Sequence, residues 1–380
     1  MIKDRAQKSL VLKYAVGKRW LPQLEVDVLP RVSTSDAQKP LTDVDVLISL
    51  PDEFDGYRFL LVDCKTGKRE SPITRALWLR GLMDQVGAAR GLCVFLKEKI
   101  EQDHRYTAAQ FGVLLLTEEE FEQYVRTTGG PAQPSSSHAA DIDLWDRYFE
   151  IPDKFPALRQ TIEFAKFGYW MCKHESEACR KTIAEAIRIR PELDPGKSSH
   201  LAIACDLSAL FMHSLSRIVA RVFASYLQPR SRDELADALL TLLYGGRENY
   251  EHLNSLRKLV STAQGTAIQG GPLDGRSLAP PEWDRFLQLV RHGLDIPTEL
   301  PNSPLLLREL GWSFLADKPS YQFAEMLAGE KRQAAKMAFL GVEYICLAAK
   351  LPPEFAANIG RLLLELQQPP TQHTLVFAKR

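Results

Sequence analysis

Two short segments carry acidic and basic residues in a pattern that can do chemistry. TDVDVLISL (42–50) and YRFLLVDCK (57–65) both alternate with period two, as strands do. In the first, Val44, Val46 and Ile48 point one way, and Asp43 and Asp45 the other. In the second, Leu60, Val62 and Cys64 share a face opposite Asp63 and Lys65. A hairpin through the turn-like PDEFDG (51–56) brings Asp45, Asp63 and Lys65 to one end of a sheet. Two carboxylates at such range repel and raise each other's pKa unless positive charge sits between them. Carboxylate oxygens are what Mg²⁺ selects. A lysine beside the ion can hold or deprotonate a bound water, the nucleophile for phosphodiester hydrolysis. On this reading, removing either acid leaves the metal-free stability unchanged or raised. The plain alternative makes Asp63 and Lys65 a surface ion pair on a half-exposed strand, worth ~0–1 kcal/mol.

The elements that must position these residues are legible around them. Residues 3–16 have helical spacing, and LEVDVL (24–29) alternates as a half-buried strand. Ser71-Pro72 opens a helix predicted to run to about Ala89, since both residues favour helix starts. GLCVFL (91–96) reads as a buried strand. A short helix near 105–111, the strand VLLLT (113–117) and an acidic-capped helix, EEEFEQYV, follow. The predicted order is α-β-β-β-α-β-α-β-α, an α/β unit. TTGGPAQPSSSHAA (127–140) lacks apolar periodicity and reads as a flexible linker. From Asp141 to Arg380 nearly every segment is amphipathic and helical, so the expected organisation is an α/β domain (1–126), a linker and an all-α domain (141–380).

TDVDVL, a short spacer and LLVDCKTGK resemble the restriction-endonuclease-like superfamily named for its PD-(D/E)XK motif. The family core, α-β-β-β-α-β with a mixed sheet, matches residues 3–96. The resemblance implies that Asp45, Asp63 and the backbone carbonyl of Cys64 bind Mg²⁺, with Mn²⁺ as a substitute, and that Lys65 serves the attacking water. Many members add a glutamine from the following helix. Gln85 occupies that place, with Trp78, Leu82 and Gln85 on one helical face. Val44 stands where the named motif has proline, and the first helix lacks the glutamate of many members, with Asp4 and Glu25 as weak stand-ins. Lys68, past Thr66-Gly67 and beyond the strand end, is expected to touch phosphate. The resemblance stops at the linker. It implies a nuclease acting on nucleic acid, with DNA favoured as substrate over RNA. By analogy it suits defence against phage or foreign DNA, with the helical part as the route to self-association or a defence partner.

Composition sets the remaining bounds. The chain has 380 residues, 45% hydrophobic and 25% charged, which suits a globular protein of about two domains. The 48 basic and 48 acidic residues cancel, and residues 1–128 hold 19 of each. A nucleic-acid binder usually has a basic surplus, so this balance favours the alternative of a nuclease-fold protein that binds nucleic acid or a partner without cutting. The intact Asp45, Asp63 and Lys65 set argues the other way. Six scattered cysteines read as core residues in a reducing compartment. Without a signal-like N-terminus or an uninterrupted apolar span, the expected location is cytoplasmic, with no membrane partner. DPGKSSH (194–200) has proline at 191 where a phosphate-binding loop needs glycine, and reads as a turn. Cys172, His174 and Cys179 do not share one helical face, so they read as core rather than a zinc site. His200 and His213 sit in an apolar helix, where hydrogen-bonded histidines are ordinary.

Overall fold

The computed structural model describes residues 2–30, 39–67, 71–96, 99–128, 136–263 and 278–367. Helix α1 (Arg5–Gly17) is followed by strands β1 (Leu21–Val28), β2 (Thr42–Asp52) and β3 (Gly56–Lys65). Helix α2 (Pro72–Val86), strand β4 (Arg90–Phe95), helix α3 (Gln102–Gln110), strand β5 (Val113–Thr117) and helix α4 (Glu118–Thr128) complete the α/β part. The sheet order is β1-β2-β3-β4-β5. The first three strands are antiparallel, and β4 and β5 continue parallel to β3, so the sheet is mixed.

Local chemistry explains the key boundaries. Pro72 occupies the first turn of α2, where its missing N–H costs nothing. The helix ends before Ala89 because Gly87 adopts φ 79°, and its N–H and that of Ala88 both close on the Met83 carbonyl at 2.8 Å. Helix α2 lies so close to β4 that a Cβ at Gly91 would come within 2.9 Å of Leu79 and Met83.

The rest of the described chain is helical, centred on the 29-residue helix Ser198–Tyr226. That helix is long and apolar enough to cross a membrane, yet 94% of its apolar window is buried inside the protein. It packs on β3, while a π-helical turn, Phe164–Gly168, packs on β1. The hairpin turn between β2 and β3 also lies on it: Gly56, at φ 76°, leaves only 3.1 Å between an added Cβ and the Arg217 Cα. Tyr57 donates to the Pro301 carbonyl (2.5 Å), and Arg308 donates to that of Pro22 (2.6 Å). One hydrophobic core therefore runs through both regions.

This coverage corrects two expectations. Strands β2 and β3 are not half-exposed: Val44–Ser49 and Leu61–Cys64 are buried on both faces, because helices cover what alternation alone assigns to water. Nor is the whole of 127–140 a solvated linker. Thr127 and Thr128 belong to α4, and residues 129–135 lie outside the described residues. Ser137–Ala140 are buried because the Glu309 carboxylate accepts from the Ser137 hydroxyl and the His138 and Ala139 N–H groups at 2.8–2.9 Å.

His213 sits in the seam between sheet and helices. Its ring stacks on Tyr57 at 4.1 Å and its nitrogens meet Tyr169 Oη (2.7 Å) and Ser49 Oγ (3.2 Å). Complete burial, with positive charge from Arg217 and Arg308, holds its pKa well below the ordinary value of 6.5. The unfolded chain therefore binds more protons below about pH 6.5, so stability present above that pH is lost on acidification. His213→Gln should make the fall shallower, by up to ~1.4 kcal/mol per pH unit. Denaturant unfolding of both proteins between pH 6.5 and 5.5 checks this; parallel pH profiles would remove His213 as the cause.

Candidate active site

The antiparallel ladder between β2 and β3 runs from Asp52 opposite Gly56 to Val46 opposite Val62, one pair short of Asp45 and Asp63. There the strands part, and the Cys64 N–H donates to Asp45 Oδ2 instead (2.7 Å). Strand β3 continues as the parallel partner of β4, pairing Asp63 with Cys93 and Lys65 with Phe95. The Asp-x-Lys segment thus stands on a rigid strand at the carboxyl end of the parallel half-sheet. Lys65 Nζ lies 3.1 Å from Asp63 Oδ1 and 3.5 Å from Asp45 Oδ2, so the structure brings the three residues together. Asp45 is 4% and Asp63 1% exposed, which removes the reading of Asp63 and Lys65 as a surface pair.

Two cations that the strand pattern did not single out complete the cluster. Lys8 of α1, 1% exposed, contacts Asp45 Oδ1 (2.8 Å) and Glu25. Glu25 reaches it from an irregular position in β1, at φ 55°, where the ladder skips from Leu24–Val46 to Val26–Val44. The register is the same on both sides, so Glu25 alone leaves the ladder and turns its side chain to Lys8. Arg75 of α2 clamps Asp63 with both arms, Nη2 to Oδ1 (2.5 Å) and Nε to Oδ2 (3.0 Å), while stacking on Trp78 at 3.8 Å. A signal for both was present. Lys8 shares a helical face with Val11, Leu12 and Ala15, and Arg75 shares one with Trp78, Leu79 and Leu82. A charge on an apolar helical face needs a buried partner.

Electrostatics follow from this packing. Burial works against the Lys8 charge, but Asp45 and Glu25 outweigh it and raise its pKa. Burial likewise opposes the Lys65 ammonium, and Asp45 and Asp63 overcome it, so Lys65 also titrates above its ordinary range. With these carboxylates around it, Lys65 is an ammonium at neutral pH, which suits holding an oxygen rather than taking its proton. For Asp63, burial pushes the carboxyl up, and Arg75 and Lys65 offset this only in part. Burial pushes the Cys64 thiol well up, so its side chain belongs to the core and only its backbone faces the carboxylates.

The other expected site residues fall elsewhere. The crossover from β3 to β4 carries α2 from the carboxylates to the start of β4. Gln85, ten residues after Arg75, is ~15 Å further along the helix. Its amide donates to the Leu29 carbonyl (3.3 Å) beside a 1070 Å³ cleft lined also by Phe164, Trp170 and Lys181. Asp4 accepts from the Thr66 hydroxyl, not at the carboxylate pair. Lys68 lies outside the described residues.

No family model, curated protein or solved structure matches the chain. The case for a metal rests on the cluster itself. Among the described residues no three His, Cys, Asp or Glu side chains converge, so the donors are the two carboxylates and backbone oxygen. These are hard oxygen donors, and the space between the carboxylates already attracts positive charge, here from Lys65 and Arg75. In donor type the residues fit a divalent cation, while their charge is already met by Lys8, Lys65 and Arg75.

Proposed function

We propose that this chain is a Mg²⁺-dependent nuclease of the PD-(D/E)XK kind, hydrolysing phosphodiester bonds in nucleic acid, with DNA the expected substrate. The observation that carries this reading is the convergence of Asp45, Asp63 and Lys65 from two strands onto one point. The element order α-β-β-β-α-β, with β4 parallel to β3, supports it.

Asp45 and Asp63, with the Cys64 carbonyl, would hold the ion, which supplies an activated water and a Lewis acid for the phosphate oxygen. The chain's own residues do the rest. Lys65 places an ammonium beside the reacting oxygens and stabilises charge that develops on them. The Cys64 N–H and Lys8 fix Asp45 in one rotamer, so the carboxylate does not need to reorganise during reaction. Burial beneath the helices lowers the local dielectric and strengthens each of these interactions.

One observation favours a second reading, a nuclease-fold protein that binds without cutting: every oxygen of the two carboxylates already has a partner. Incubating the full chain with single- and double-stranded DNA and RNA, in Mg²⁺, Mn²⁺ or chelator, separates the two. Cleavage confined to the metal lanes supports the nuclease. Binding without cleavage in any lane supports the alternative.

A further inference from the structure

The structure assigns Arg75 as the latch of this site: its guanidinium holds Asp63 in the metal-free protein and exchanges with the divalent cation, which does not simply add. The inference rests on the metal-dependent reading above. Asp45, Asp63 and Glu25 are matched by Lys8, Lys65 and Arg75, so the cluster has no net charge. Adding a dication would leave two uncompensated charges in a buried site, which is strongly unfavourable. Release of one resident cation halves that excess.

Geometry selects which one. Lys8 is sealed under α1, with its ammonium between Asp45 and Glu25 and no opening to water. Lys65 stands on the rigid strand and is the group placed beside the reacting oxygens. Arg75 comes from the first turn of α2, takes both oxygens of Asp63, and at 19% is, like Lys65 at 23% and unlike Lys8, open to water. Its stack on Trp78 gives the guanidinium a resting place at the rim once Asp63 is released. There its forked donors suit a phosphate oxygen pair. A substrate backbone that draws Arg75 away would therefore help the metal to enter, tying loading to the presence of nucleic acid.

The test is Mn²⁺ binding to the full-length protein without nucleic acid, by calorimetry, for wild type, Arg75→Gln, Arg75→Lys and each combined with Asp63→Asn. Arg75→Gln should bind Mn²⁺ at least about tenfold more tightly than wild type, and adding Asp63→Asn should abolish the gain. Arg75→Lys keeps the charge but cannot span both oxygens, so its affinity should fall between the two. It also guards against misfolding of the glutamine variant. Equal Mn²⁺ affinity in wild type and both Arg75 variants, lost in Asp63→Asn, would overturn the latch and leave the nuclease reading standing. No Asp63-dependent Mn²⁺ binding in any protein would overturn both.

Discussion

Lys8→Met is expected to lower the unfolding free energy by about 3–5 kcal/mol at neutral pH, a large fraction of a typical domain's stability. Lys8 is fully buried and bridges Asp45 and Glu25; without its ammonium, two carboxylates face each other with one cation fewer. The strand pattern alone implies that the acids are a liability whose removal relieves repulsion. The packing reverses this, because each acid is matched to a cation of the cluster and the loss of any partner leaves a charge uncompensated. Asp45→Ala should accordingly destabilise the metal-free protein rather than hold or raise its melting temperature. Combining Lys8→Met with Glu25→Gln and Asp45→Asn should recover part of the loss, since neutralising a buried network is cheaper than breaking it. Urea unfolding of the four proteins measures this. A Lys8→Met protein as stable as wild type would mean that the cluster is not held as described.

Lys65→Ala should slow single-turnover cleavage by about 10²–10³-fold while leaving nucleic-acid affinity almost unchanged. The lysine lies within 3.5 Å of both carboxylates, which in the proposed reaction is beside the atoms where charge develops. A lost phosphate contact would instead weaken binding and flatten its salt dependence, the pattern expected for Lys68→Ala. Cleavage and binding across a salt series distinguish the two. Normal cleavage by Lys65→Ala would remove the lysine from the chemistry and with it the assignment of the site.

What the chain makes legible is what depends on neighbours in sequence. The five strands and the helices between them appear near their expected places because period-two and helical spacing are local signals. Asp45, Asp63 and Lys65 could be placed together because alternation fixes the face and a short turn fixes the end. Gln85 shows the limit of such signals: spacing gives its helical face, but not how far along the crossover from Asp63 it stands. Burial of both faces of β2 and β3 is hidden in the sequence because covering residues such as His213 on Ser49 and Pro301 on Tyr57 come from over a hundred positions away. Lys8 and Arg75 were legible only as charges on apolar faces. That shows a buried partner is needed without showing which acid supplies it.

The most direct test of the account is cleavage by wild type and Asp45→Asn on the nucleic acid that the substrate panel selects, in Mg²⁺ and in chelator. The asparagine keeps the shape of the side chain and removes only the charge that the metal requires. The expected result is cleavage by wild type in Mg²⁺, none in chelator, and none by Asp45→Asn in either. Cleavage that survives chelator, or an Asp45→Asn protein that cuts at the wild-type rate, would contradict the claim that these carboxylates form a metal-dependent nuclease site.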